Sequence, residues 1–196
     1  MRLIAVALLL LAAVPASAEA QAWTRYPFPD AGFAVQLPSA PSRTTAAVTT
    51  PARLAGPVQV FSLQDGNIAY TVQVTDLSAS SIDQQDAIRE AEQALAAKGT
   101  VRAALDARIN RQYGRELSVD EADGGRLVAA LFFFNHRLYQ LTGVAAPPNA
   151  LGSSSSLIRF QQSLEFVGAG GQGGPGGFGP GGPGGFGGFG GRRGPG

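Results

Sequence analysis

The 196 residues carry 15 basic and 14 acidic side chains and no cysteine. Near-balanced charge argues against a nucleic-acid-binding or polybasic membrane-binding domain. Without cysteine there is no disulfide framework, no thiol nucleophile, no cysteine-based zinc or iron–sulfur site, and no lipid anchor on an N-terminal cysteine.

The chain opens as a cleavable signal peptide over residues 1–18. Met1 and Arg2 bring positive charge, Leu3 to Val14 is an unbroken apolar run, Pro15 ends it, and Ala16-Ser17-Ala18 offers small residues to a signal peptidase. The expected cut lies between Ala18 and Glu19, with cuts after Ala20 or Ala22 as alternatives. A spanning helix needs about 20 apolar residues; this run is shorter, so no stable membrane insertion is expected after cleavage. The expected location is the bacterial periplasm or beyond.

Residues 23–167 are long enough for a single globular domain with its own core. Trp23 and Tyr26 precede turn chemistry at Pro27, Pro29, Asp30 and Gly32. Phe33, Val35 and Leu37 alternate as a strand that Pro38 ends. Thr44 to Thr50 is weakly β-leaning. Val58 to Gln64 and Ile68 to Asp76 predict a hairpin about Asp65-Gly66-Asn67. A helix follows, with a capping box at Ser81 and Gln84, an apolar stripe of Ile88, Ala91 and Leu95, and Gly99 as its stop. The period then falls to two. Val101, Ala103, Leu105, Ala107 and Ile109 alternate with mostly polar residues, which predicts a strand with one wet face. Arg115 to Glu121 is the next strand. Leu127 to Phe134 is apolar on both sides, as in a strand covered on both faces. Asn135-His136 turns the chain into Arg137 to Ala145. Asn149 or Ser153 to Ser156 is placed to cap a last helix carrying Leu157, Phe160 and Leu164. This order predicts an α+β fold, a largely antiparallel sheet packed between helices as an α/β/α sandwich. Residues 168–196 form a Gly/Pro/Phe-rich tail expected to be disordered, because so many glycines make ordering costly.

No residue pattern announces chemistry. His136, the sole histidine, sits in a predicted turn and has no visible partner for base catalysis. Asp120, Glu121 and Asp123 lack calcium-loop spacing and read as a solvated turn. Ser153 to Ser156 has no nucleophile-elbow context. Phe132 to Phe134 reads as core rather than partner surface. The tail glycines are flanked by no strand and helix that would make a phosphate loop. Arg192 and Arg193 supply little charge for RNA, from which export separates them. Arg115, Arg137 and Tyr139 are the candidates for a shared polar partner surface.

Four segments carry a resemblance: Gly32-Phe33 through Leu37-Pro38 with Pro41, Gly114-Arg115-Glu116, Arg137-Leu138-Tyr139-Gln140-Leu141, and Arg159-Phe160 with Ser163-Leu164. In order and spacing they resemble the PsbP-like superfamily of small exported bacterial proteins, over residues 23–167. The resemblance implies an antiparallel sheet between helices. It also implies non-catalytic binding or assembly work, as in the extrinsic photosystem II protein. It assigns no metal, cofactor or binding residue. The expectation is an exported, non-enzymatic binding or accessory protein with a protein partner in the cell envelope, no nucleic-acid partner and no cofactor. The alternatives are a hydrolase with an unrecognised site, and self-association or surface attachment through the Gly/Phe-rich tail.

Overall fold

The computed structural model describes residues 22–46, 52–109, 111–148, 150 and 152–167. The signal segment with its Ala18–Glu19 bond, the tail 168–196, residues 47–50 of the β-leaning stretch and the capping candidate Asn149 lie outside the described residues.

Among the described residues, ten strands and two helices follow in chain order: β1 Thr24–Phe28, β2 Phe33–Leu37, β3 Ser42–Ala46, β4 Val58–Asp65, β5 Ile68–Asp76, α1 Gln84–Ala96, β6 Gly99–Ile109, β7 Gln112–Glu121, β8 Arg126–Phe134, β9 Arg137–Ala145, α2 Ser154–Gln161 and β10 Glu165–Phe166. A single 3-10 turn, Ala52–Leu54, precedes β4. Seven strands form one sheet in the order β3-β4-β5-β9-β8-β7-β6, and β1-β2-β10 form a second. Every neighbouring pair is antiparallel.

Strand β8 shows why its sequence is apolar throughout. Val128, Ala130 and Phe132 enter one core cluster, with Tyr70, Tyr139, Leu157 and Phe160. Leu127, Ala129 and Leu131 enter the other, with Ile88, Ala91 and Leu95 of α1. Period-two side chains on a central strand thus feed two separate cores. Phe132 faces the first and Phe133 packs beside the second, as their alternation predicts.

Several local expectations change. Pro27 lies inside β1, opposite Ala34, and the turn spans residues 29–32. Strand β1 borders the small sheet, where a missing N–H is tolerated. Asp83, not Ser81, is the N-cap of α1; its carboxylate accepts from the Asp86 amide at 2.8 Å. Gly99 begins β6 instead of capping α1, whose C-cap is Ala97, and a Cβ at Gly99 would lie 2.1 Å from the Asp120 carbonyl oxygen. Helix α2 ends at Gln161, so Leu164 reaches the core from beyond it and frees the chain to form β10. The Asn135-His136 turn holds, with positive φ at both residues. Among the described residues, no helix is long and apolar enough to cross a membrane.

Candidate functional site

A hollow of about 860 Å³, open to solvent, runs between α1 and the outer strands β6 and β7. Helix α1 contributes Gln84, Gln85, Ile88, Arg89 and Glu92, while the strands contribute Asp106, Tyr113, Gly114 and Arg115. The helix lies there because Ala87, Ile88, Ala91 and Leu95 bury one stripe and leave the flanking polar positions toward the cleft.

Arg115 anchors the cleft. Its Nε donates to Glu92 Oε2 at 3.1 Å and its Nη2 to Glu92 Oε1 at 3.0 Å, a two-point grip of the kind a guanidinium fork provides. Its Nη1 donates to Asp106 Oδ1 at 2.6 Å. These hydrogen bonds, Glu92 first and Asp106 second, raise the Arg115 pKa further above its ordinary value. Two carboxylates therefore already satisfy this cation. At the rim, the Arg108 guanidinium lies 4.2 Å from the centre of the exposed Tyr113 ring. Arg89 pairs with Asp86 one turn back. The cleft offers an aromatic edge, amides and mutually neutralised charges.

The three predicted surface residues do not converge. Arg115 pairs with Leu131 across the sheet, on the α1 side. Tyr139 belongs to the opposite core at 1 % exposure, and its hydroxyl donates to the Ala31 carbonyl at 3.0 Å. Arg137 stands beside it and donates to the Asp30 carbonyl at 3.2 Å. Arg137 and Tyr139 hold the 29–32 turn, and the buried Tyr139 presents no surface to a partner. Sequence reasoning missed Glu92, Asp106 and Tyr113, since each reads as an ordinary polar residue on a wet face. An Arg in a strand facing a helix with a Glu was the one available signal.

His136 lies exposed in its turn, with its ring 6.4 Å from that of Phe133. Asp120 is claimed by Arg126 at 2.7 Å and Arg102 at 2.5 Å, whose hydrogen bonds lower its pKa. Asp123 caps the Gly125 amide at 2.9 Å. Among the described residues, no group of three or more His, Asp or Glu side chains is placed to hold a metal ion.

No family model and no curated protein matches this chain. A solved structure does. Cyanobacterial PsbP (CyanoP) from Synechocystis superposes with a TM-score of 0.52, over 77 % of this chain and 96 % of its own, at 12 % identity. The fold is PsbP-like. A Pseudomonas aeruginosa protein of unknown function is more distant, with a TM-score of 0.38 at 13 % identity over 68 % of this chain and 90 % of its own.

Within the PsbP-like fold, most residues that carry the sequence resemblance meet at one place. The Tyr139 ring packs edge-on against Phe33 and Phe166, and Phe166 packs against Phe132. Gly32 lies under the Tyr139 hydroxyl, and Gly114 lies under the Phe132 ring. On the same side, Arg159 covers Trp23, Phe160 meets Tyr70, and the Ser163 hydroxyl accepts from the Gln36 amide at 3.0 Å. These positions hold the PsbP-like fold together. Arg115 stands apart from them, in the cleft.

Proposed function

We propose that this chain is an exported, non-enzymatic binding or accessory protein of the bacterial cell envelope, and that the α1–β7 cleft is its contact surface for a protein partner. The observation that carries this reading is the state of Arg115. It lines the α1–β7 cleft, yet Glu92 and Asp106 already hold it. Such a group shapes a surface without being free to act on a small anionic substrate. The exposed Tyr113 beside it is the residue type on which protein contacts most often depend. The PsbP-like fold supports the reading at the level of architecture.

We also infer a three-layer α/β/α arrangement, with a helix on each face of the large sheet. Its support is the division of β8 between two core clusters, one with α1 residues and the other with α2 residues.

The test uses the mature chain as bait in envelope extract, beside a Tyr113→Ala, Gln85→Glu variant. A reproducible partner is expected, with its recovery falling about tenfold or more in the variant, as loss of an aromatic anchor implies. Recovery unaffected by the variant contradicts the site. Absence of any partner, together with turnover in an activity screen, contradicts the function.

A further inference from the structure

A second hollow, about 230 Å³, lies on the other face of β6–β8, beside α2. It is mainly apolar at its rim, where Leu105 is 59 % and Ile158 46 % exposed. Strand register explains the exposed leucine. A bulge between Val101 and Ala103 puts Val101 opposite Val119, on the α1 side, and Leu105 opposite Glu116, on the α2 side. The regular alternation expected for Val101 to Ile109 is thereby broken, and the apolar residues of β6 divide between the two faces.

Glu116 lines this hollow, between Leu105 and Ala130 across the sheet. It makes no hydrogen bond or ion pair with another described residue, and burial alone raises its pKa. The neighbouring Arg126 and Arg102 are both committed to Asp120. The hollow thus joins apolar surface to an unpaired carboxylate. Its complement is an apolar side chain a few residues from a cation.

The chain carries that complement itself. Phe186 and Phe189 precede Arg192 and Arg193 by a few residues. The described chain also leaves the fold on the correct face. Phe166 packs on Phe132, Phe132 pairs with Gly114, and Glu116 lies two residues further along β7, about 7 Å away at strand spacing. Over the residues from Val167 to Arg192, a Gly-rich chain has a root-mean-square span of about 27 Å, on the scale of the path from Phe166 through Phe132 and Gly114 to Glu116.

We propose that the hollow beside α2 is a docking site for this chain's own C-terminal segment, residues 168–196, with a tail Phe on Leu105 and Ile158 and the Arg192-Arg193 pair at Glu116. Tethering replaces affinity with effective concentration, so a weak contact suffices. The contact covers surface that would otherwise be open to other chains.

The absence of cysteine makes the test clean. A spin label is placed on Gly187→Cys in the full mature chain, and paramagnetic broadening is read at backbone amides. In samples of labelled protein diluted with unlabelled, isotopically silent protein, the amides of Leu105, Glu116 and Ile158 broaden strongly while that of Gly66 does not. Leu105→Ser and Glu116→Gln, each with an otherwise unchanged amide spectrum, reduce the broadening by about half or more, as loss of one contact from a weak interaction implies. Broadening that is uniform, or indifferent to both variants, overturns the proposal. Broadening that appears only when spin-labelled and isotope-labelled molecules are mixed assigns the hollow to a second copy's tail and overturns it as well.

Discussion

Gly32 leaves no room for a side chain. A Cβ there would lie 2.7 Å from the Tyr139 hydroxyl, and its φ of +82° belongs to the region that L side chains avoid. Gly114 is equally constrained, since its Cβ would lie 2.3 Å from the Leu131 carbonyl. Both glycines stand in the segments that carry the resemblance, and an aromatic side chain occupies the space beside each. Glu116, next to Arg115 in the same short motif, is under the opposite pressure. Burial raises its pKa above the ordinary 4.5, so the folded state binds its proton more tightly than the unfolded state does. That preference stabilises the fold below about pH 4.5 and is lost as pH rises through the folded pKa. Glu116→Gln removes the cost of the charged form. The variant should therefore gain thermal stability over the parent at pH 7 and lose that advantage near pH 3.5. Melting curves at the two pH values check this, and an equal difference at both contradicts the desolvated carboxylate. A charged tail docked at Glu116 would reduce the gain, so removing residues 168–196 should widen it.

Helix α1 connects the cleft to the core, and its N-cap lies two residues beyond the one that the spacing predicts. Ser81 and Gln84 have capping-box spacing, but the Asp83 carboxylate takes the orphan Asp86 amide instead. Ser, Asp and Gln are all competent near a helix start, so spacing cannot choose among them; the entry path of the chain does. Asp83→Ala should lower stability by about 1 kcal/mol, the usual cost of losing an N-cap, while Ser81→Ala should leave it nearly unchanged. Urea unfolding of the two variants separates the assignments. The strands were more legible. Alternation marks β2 and β5, the two-faced apolarity of β8 marks the sheet interior, and the Asn135-His136 turn marks the start of β9. Strand β6 was found, but its faces were not, because one extra residue in a bulge leaves no mark on composition. Strand β10 is two residues long and pairs only with β2, a contact that no local pattern announces.

At the scale of the molecule, the large sheet separates two groups of residues. Its α2 side carries the aromatic cluster of Phe33, Phe132, Tyr139 and Phe166, to which the resemblance segments contribute Phe33 and Tyr139. Its α1 side carries the cleft, where Glu92 and Asp106 clasp Arg115. This division explains why the sequence pointed to a fold so much more readily than to a site. A Tyr or Gly held by packing leaves a motif. The cleft residues come from α1, β6 and β7, and only the tertiary fold brings Glu92 within reach of Arg115. Arg137 and Tyr139 were expected to share a surface with Arg115 because all three lie in recognisable segments; the sheet places them on opposite faces. The proposed contact surface for a partner is the α1 side. A photo-crosslinking residue substituted for Gln85, at the cleft, and separately for Gln64, on the distant strand β4, tests it most directly in living cells. A single reproducible adduct from position 85 and none from position 64 is the predicted result; an adduct from position 64 with none from position 85 would contradict it.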